Sequence, residues 1–345
     1  MMGMARELRG LSQTQLAKKL RVTQGKVSKI ENGLLSPDNE FVQKLSDELK
    51  IPSRFFFRGD RVYGMPTSFF RKRASVSQKE LRAIAAELNI RRLQISRLAS
   101  SLELESMFSV PRFDLDEFEC DPTEIAAAVR FSWQMTLKPI PNLYALLEDA
   151  GCIIVPCDFG PKIDAISQWI PDSSPMIFIN RNKPMDRLRF SVAHELGHLV
   201  MHSRVPTDQM ESEADAFAAE LLMPASEIAP QIPRRLRLSD LASLKRIWKV
   251  SMAAILKRAH TLDKISERHY RYLWMQMGQR GYRSKEPVEL DVPIEQCSTI
   301  EQMFDIHRDE FNYTDKELLA ILDLRPDEFA SWYGLQSKGR LRLVT

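Results

Sequence analysis

The sequence predicts a multidomain protein that is mainly α-helical and contains a small β-sheet. The length of 345 residues exceeds that of most single domains. Helical apolar spacing recurs along the chain, whereas short strand-like runs cluster between residues 151 and 180. We therefore expect four parts: an all-α helix-turn-helix domain at 1–60, a helical connector at 61–135, an α+β domain at 136–230 and a helical C-terminal region at 231–345.

The charge of the chain is unevenly distributed. Residues 1–73 contain 15 Lys and Arg against 7 Asp and Glu, although the net charge of the whole chain is only +3. A basic front end on a mildly acidic body predicts an N-terminal module that binds a polyanion.

Cysteine usage and hydropathy indicate the cellular compartment in which the protein is expected. The four cysteines, at positions 120, 152, 157 and 297, lack the paired spacing of a metal site. We expect them to be reduced, as in a cytoplasmic protein. The chain has neither an apolar run of about 18 residues nor a signal peptide, so we expect no membrane segment.

Two short helices are predicted near the N-terminus. Ser12 caps the first, Thr23 caps the second from Gln24 to Glu31, and Asn32-Gly33 ends the pair. The short turn at Arg21-Val22 between them is typical of a helix-turn-helix. This interpretation accounts for the basic charge of the segment.

The pattern Ile30-Glu31-Asn32-Gly33, followed by Pro37, Leu45, Leu49 and Ile51-Pro52, resembles the Xre/Cro type of phage-repressor domain. The resemblance implies six contacts to double-stranded operator DNA: Gln24 and Lys29 toward base edges, Lys26 and Ser28 nearby, and Gln13 and Asn32 on backbone phosphates. Arg21 stands where that family usually has glycine, which is strained if the residue is left-handed. A helical scaffold that has lost DNA binding is the alternative.

The connector offers two features. Phe69-Phe70-Arg71-Lys72-Arg73 could extend a phosphate-contacting surface or be a solvated charge run. From Ser77 to Leu104 the apolar residues follow a heptad-like register that Arg91 interrupts. This predicted helix either pairs two copies in a homodimer or packs on the predicted α+β domain at 136–230.

A metal pattern lies at Ser191 to Val200. His194 and His198 are four residues apart, so their rings share one helix face and can converge on an ion. Zinc accepts such imidazoles and, in catalytic sites, leaves a position for water. Glu195 stands where a general base for that water is needed.

A second acidic helix follows from Glu211 to Pro224. Glu211 and Asp215 share a face, so Glu211 can supply a third metal ligand while Asp215 orients a histidine. Glu213 is the rival ligand, but Phe217, four residues later, offers no such support. His202 lies about 12 Å along the helix from His194, too far to share its ion, and is interpreted as a supporting or structural residue.

His194-Glu195-Leu196-Gly197-His198, together with the Glu211 to Pro224 pattern, resembles the ImmA/IrrE family of zinc metallopeptidases. The resemblance extends back to about Ile140. It implies a zincin-like fold, a Zn²⁺ cofactor and a substrate of the transcriptional-repressor class. An oxyanion-stabilising residue is left open, with Tyr144 and Arg204 among the candidates.

Three strands are expected ahead of the metal helix, at 151–155, 165–170 and 176–180. By analogy with zincin-like folds, Ser167 to Ile170 is a candidate edge for binding a peptide as an added strand; the alternative is a covering sheet. Farther on, Ser239 and Val250-Ser251 predict a second helix-turn-helix shape, surrounded by basic residues. It could contact nucleic acid or simply cover the core.

These patterns support three functional hypotheses. The first is a DNA-binding regulator whose zinc endopeptidase hydrolyses a repressor or antitoxin-like protein. Its own chain is one candidate substrate. The second is a non-enzymatic transcription factor with a structural or sensory zinc site. The third is a peptidase that its N-terminal helices direct to a protein partner rather than to DNA.

Overall fold

The computed structural model describes residues 1–59, 62, 76–113, 121–169, 173–202 and 207–334. Within these ranges it contains 16 α-helices and one three-stranded sheet, which confirms the predicted fold class. The chain forms two compact units: Met1–Glu103 with Glu301–Thr345, and Leu104–Ile300. We call them the first and the second unit.

The first unit is helical. Its elements are α1 (Met2–Leu8), α2 (Gln13–Leu20), α3 (Gln24–Glu31), α4 (Asn39–Leu49), a 3₁₀ helix (Ser53–Phe57), α5 (Gln78–Ala99), α14 (Thr299–Asp309), α15 (Asp315–Leu322) and α16 (Pro326–Tyr333). The α14 helix begins at the unit boundary. Leu16, Val27 and Leu45 lie in one core that joins α2, α3 and α4.

The helix-turn-helix is defined by its caps. The Ser12 side chain accepts a hydrogen bond from the Gln15 N–H, and the Gln15 side-chain oxygen accepts one from the Ser12 N–H, which satisfies two free donors at the start of α2. Thr23 caps α3 in a similar way. Arg21 between them is left-handed (φ 55°), so it adopts the strained conformation for which glycine is usual.

Helix α5 packs inside the first unit. Its apolar positions Leu81, Leu88 and Ile95 are fully buried, and the helix contacts α1 and α15. Arg91, which interrupts the heptad register, is also buried: its guanidinium bonds Glu87 and lies 4.5 Å from the ring centre of Trp332. The apolar stripe is therefore covered within the unit, unlike either predicted arrangement.

Asp323 joins the C-terminal helices to the remainder of the first unit. Its side chain is fully buried at the left-handed end of α15. Its two oxygens accept hydrogen bonds from Arg54 (2.8 Å), Arg58 (3.0 Å) and Arg97 (2.8 Å). Arginines from two parts of the chain that are distant from Asp323 thus share one buried carboxylate.

The second unit surrounds the small sheet with helices. Its elements are α6 (Pro122–Ser132), α7 (Leu143–Asp149), β1 (Ile153–Cys157), β2 (Ala165–Gln168), β3 (Met176–Asn180), α8 (Met185–Met201), α9 (Met210–Leu222), α10 (Ala225–Ile228), a 3₁₀ helix (Ala229–Gln231), α11 (Leu238–Trp248), α12 (Met252–Thr261), α13 (Glu267–Gln279) and a 3₁₀ helix (Val288–Leu290).

The sheet order is β1-β3-β2. Strand β1 pairs parallel to β3, with Ile154 opposite Ile177. Strand β2 pairs antiparallel to β3, with Ser167 opposite Ile177, and forms an edge. These three side chains share one face because residues opposite each other in a ladder point the same way. Ile154 and Ile177 enter the core that also contains Val192 and Leu196 of α8.

The two units differ from the predicted four-part division. Residues 61–135 and 231–345 are each split between both units, because α5 and α14 to α16 pack with the helix-turn-helix while α6 and α11 to α13 belong to the second unit. Hydrophobic periodicity predicts a helix but not the element against which the helix packs.

Candidate metal centre

Helix α8 brings His194 and His198 together. Their Nε2 atoms are 3.1 Å apart and their ring centres 4.8 Å apart. The helix starts after Pro184 and keeps Val192, Ala193 and Leu196 in the core. Those apolar side chains point into the core, and the two histidines lie on a partly exposed face of the same helix.

Glu211 approaches this pair from α9. One carboxylate oxygen lies 3.6 Å from Nε2 of His194, and the other lies 3.6 Å from Nε2 of His198. One donor atom from each residue falls within 4.8 Å of the others. Ligands bound tetrahedrally to zinc at 2.0–2.1 Å are separated by about 3.3 Å. The donor set and its spacing therefore fit a zinc ion.

A glycine permits the two helices to approach this closely. A Cβ added at Gly197 would lie 3.0 Å from Cδ1 of Phe217 and 3.3 Å from Cα of Ala214. The second of these atoms is backbone and cannot rotate away. The space left by this glycine lets the start of α9, and with it Glu211, reach the histidines of α8.

The Nδ1 atom of His194 contacts Asp215, one helical turn beyond Glu211. This contact is 2.8 Å, and the other Asp215 oxygen accepts a 2.8 Å hydrogen bond from Lys257 of α12. Burial raises the pKa of Asp215, but the hydrogen bonds with His194 and Lys257 outweigh it and lower the pKa to about 2. The Asp215 carboxylate is therefore ionised at neutral pH and can accept a hydrogen bond from Nδ1 of His194.

His198 is held by a different chain of contacts. Its Nδ1 lies 2.7 Å from Nδ1 of His202, whose Nε2 lies 2.9 Å from a carboxylate oxygen of Glu213. His202 is almost fully buried just after the end of α8. Glu213 therefore faces His202, while Glu211 faces the two histidines predicted to bind metal.

Glu195 points toward the sheet. Its Oε2 accepts hydrogen bonds from the backbone N–H (2.8 Å) and the hydroxyl (2.6 Å) of Ser167 on β2. Both bonds fall on one oxygen, which leaves Oε1 available to a water molecule. The sequence does not reveal Ser167 as a partner of Glu195, because 28 residues separate them and no motif links them.

The outer edge of β2 bears on the predicted peptide-binding edge. The N–H of Asn180 donates to the carbonyl of Asp164 (2.8 Å), so alternation along the antiparallel ladder directs the Ser167 N–H away from β3. Glu195 occupies that N–H. The remainder of the predicted edge includes Ile170, which lies outside the described residues.

Tyr144 and Arg204 are among the candidates for stabilising an oxyanion. Arg204 also lies outside the described residues. The Tyr144 hydroxyl is buried and has no hydrogen-bond partner among the described residues.

The predicted DNA-contacting residues surround the start and end of α3. Gln24 donates to Gln13 (2.7 Å), which in turn donates to Glu31 (2.7 Å). The Asn32 amide donates to the carbonyl of Ser28 (2.9 Å). These bonds fix the side chains at both ends of the helix.

The two predicted lysines of α3 differ in their surroundings. Lys29 is exposed, whereas the Lys26 ammonium lies 5.0 Å from the ring centre of Phe41. The basic cluster at 69–73 lies outside the described residues, so its predicted phosphate contact stays a prediction.

The second helix-turn-helix shape, α11 with α12, uses several basic residues inside the unit. The Lys245 ammonium is buried and bonds Asp186 (2.5 Å) and Glu286 (2.6 Å). Arg258 bonds Glu220, a contact that joins α12 to α9. These pairings favour the covering role over nucleic-acid binding. Lys257 is another basic residue of α12, and its partner is Asp215.

Comparison with known families agrees with this geometry. Residues 147–260 match the IrrE N-terminal-like domain of the M78 peptidase family, and residues 3–56 match a helix-turn-helix family. No curated protein matches the chain. The chain therefore joins an Xre-type helix-turn-helix domain to an IrrE N-terminal-like domain, a pairing that suggests a regulator with protease-type activity. Among the described residues, no helix is both long and apolar enough to span a membrane.

Proposed function

We propose that this protein is a DNA-binding transcriptional regulator whose second unit is a zinc-dependent endopeptidase. The observation that carries the proposal is the convergence of His194, His198 and Glu211 beside Glu195. The substrate class we propose is a repressor or antitoxin-like protein, and its own helix-turn-helix domain is one candidate.

The proposed metal ligands are the Nε2 atoms of the two histidines and the carboxylate of Glu211. Zinc held there would supply a Lewis acid that polarises a peptide carbonyl and makes water more acidic. Asp215 and His202 hold the Nδ1 atoms of the two rings. Such outer contacts fix ring orientation and raise the donor strength of the imidazoles.

Glu195 is the proposed general base. It takes a proton from the attacking water and passes it to the nitrogen of the leaving amine, which balances the hydrolysis. The two Ser167 hydrogen bonds restrict the carboxylate to one orientation. Glu211 is 47% exposed, so a peptide can approach the site from solvent.

The first unit supplies the proposed DNA contact. Lys29, at the exposed side of α3, is proposed to face base edges together with Gln24, and Gln13 is proposed to contact a phosphate. A symmetric operator would be bound by two copies of the chain. Joining such a head to a peptidase would let cleavage change transcription at the operator.

The test is zinc-dependent cleavage of a purified helix-turn-helix repressor from the same organism. Wild type and Glu195→Gln would be loaded with zinc and incubated with that repressor, and intact mass would follow both chains. We expect cleavage by wild type, no cleavage by the variant, and equal zinc content in the two proteins. Glu227→Gln, a substitution of a half-buried α10 residue with the same change in charge, is the control.

One result would contradict the peptidase proposal, and another would contradict only the role of Glu195. If both proteins bind zinc and neither cleaves this repressor, other such repressors or its own chain, the site is structural or sensory. If Glu195→Gln cleaves as fast as wild type, Glu195 is not the base. The first result would favour a non-enzymatic transcription factor, the second a different catalytic residue.

A further inference from the structure

A cleft lies between α11 and α13 in the second unit, and residues 287–290 form its third side. Its volume is about 960 Å³, near the upper end of the range for pockets that bind small molecules. It is lined by Arg235, Arg237, Arg246, His269, Tyr272 and Arg280, among others. None of these residues belongs to the candidate metal centre.

The lining of the cleft is strongly cationic. Four arginines line it, and Glu289 is the one acidic residue among the lining residues. Arg235 and Arg246 make no hydrogen bond or ion pair with any residue that the structure describes. The Arg237 guanidinium is 3.9 Å from Asp240, and Arg280 donates only to the carbonyl of Gln276 (3.4 Å). Guanidinium groups that line one cleft repel one another, and an anion bound among them reduces that repulsion.

Three basic residues of α11 and α12 are compensated. Lys245 of α11 bonds two carboxylates, and Lys257 and Arg258 of α12 each bond one. Arg246 of α11 and Arg235, which lies just before that helix, line the cleft and have no carboxylate partner among the described residues. Arg235, Arg246 and Arg280, which directly follows α13, have the planar donor groups that bind phosphate oxygens in pairs.

The floor and one wall of the cleft can accept a ring. Leu236, Leu273 and Leu290 are buried beneath it. Tyr272 is 51% exposed at its wall, and its hydroxyl accepts a 2.6 Å hydrogen bond from Gln276, which holds the ring in place. Aromatic and apolar surface beside guanidinium groups matches a ligand with one flat ring system and one anionic end.

We propose that this cleft binds an organic phosphate of nucleotide size, with the phosphate groups on the arginines and the ring against Tyr272 and the leucines. This binding site is independent of the proposed peptidase function. It borders residues that contact the metal helix, because Lys245 on α11 bonds both Asp186 of α8 and Glu286, which precedes the cleft wall.

The test is titration of the full-length, zinc-loaded protein with mant-ADP, a fluorescent nucleotide, followed by competition with ADP and inorganic pyrophosphate. Arg246→Gln and Arg280→Gln should each weaken binding by about tenfold or more, since each removes a charge-assisted hydrogen bond. Arg268→Gln is the matched control, because Arg268 is an exposed arginine of α13 that does not line the cleft. It should bind like wild type.

The competition separates the sources of recognition. Displacement by ADP at lower concentration than by pyrophosphate supports a site that reads both ring and phosphate. Absence of saturable binding would overturn the proposal, as would equal loss in Arg246→Gln and Arg268→Gln. Binding of a short DNA duplex that weakens in the cleft variants, without nucleotide binding, would overturn it in favour of a nucleic-acid surface.

Discussion

Each candidate ligand histidine has its Nδ1 atom held by a different partner. His194 contacts a carboxylate that is itself bonded to Lys257, whereas His198 contacts a buried histidine backed by Glu213. The first arrangement places a negative charge next to the ring. The second passes through an intermediate imidazole. We therefore expect the two supports to contribute unequally to metal affinity.

Asp215→Asn should weaken zinc binding by roughly 10–100-fold, because an amide orients the His194 ring without the negative charge that strengthens its donor atom. Competition with a chelator of known affinity would measure the change. Asp208→Asn, an exposed substitution ahead of α9, is the control. Zinc affinity that is unchanged in Asp215→Asn would show that the carboxylate does not support the ligand.

The proposed ligands could be predicted because a helix converts spacing into position. Residues four apart share a face, so His194 with His198, and Glu211 with Asp215, follow from the sequence. The partnership of Ser167 with Glu195 could not be predicted in this way. It depends on where an edge strand lies relative to a helix, and short strands leave no sequence signal for that position.

At the scale of elements, the close approach of α8 and α9 brings Glu211 to the histidines. Gly197 leaves room for Phe217 and for the backbone of Ala214. The separation of the two helices is therefore set by one residue within the metal motif.

Gly197→Ala should push α9 away from α8. We expect a destabilisation of about 1–3 kcal/mol from overpacking, together with weaker zinc binding as Glu211 moves away. Gly25→Ala is the comparison: a Cβ at Gly25 in α3 meets no atom within 4 Å. That change should leave zinc affinity unaltered and stabilise the helix by about 0.5–1 kcal/mol. Denaturation and chelator competition would measure both, and unchanged zinc binding in Gly197→Ala would refute the argument.

Helix α3 allows a test of the proposed DNA contact. Lys29→Ala should reduce the free energy of DNA binding by about 1–3 kcal/mol and relax specificity at one base position if this lysine faces a base edge. Footprinting on the DNA upstream of its own gene would measure it. Lys44→Ala removes an equal charge from α4, where the Lys44 side chain is 60% exposed and its ammonium pairs with Glu40. Equal effects of the two substitutions would contradict a specific role for Lys29.

At the scale of the whole molecule, the chain leaves the first unit at residue 103 and returns to it at residue 301. The periodicity of 77–104 and of the C-terminal residues predicts amphipathic helices, and both form. Their packing against the helix-turn-helix depends on contacts between distant residues, as at Asp323, which spacing along the chain does not reveal.

Asp323→Asn should destabilise the first unit by about 3 kcal/mol, because three arginines would lose a buried negative partner. Asparagine tolerates the left-handed backbone of this position, so the change isolates the charge. Asp315→Asn is the control, since its ion pair with Arg308 is more exposed. Asp315→Asn should lower the free energy of unfolding by less than about 1 kcal/mol. Equal unfolding midpoints for the two variants would show that the buried carboxylate is not a stabilising centre.

The most direct test of the proposed metal centre is the zinc content and zinc affinity of Glu211→Gln beside Glu213→Gln. The two substitutions are chemically identical and lie in the same turn of α9. We predict about one bound zinc per wild-type chain, and a loss of affinity in Glu211→Gln beyond the roughly 100-fold expected for an outer partner. Glu213→Gln should retain zinc. Retention by Glu211→Gln with loss by Glu213→Gln would contradict the proposed ligand set.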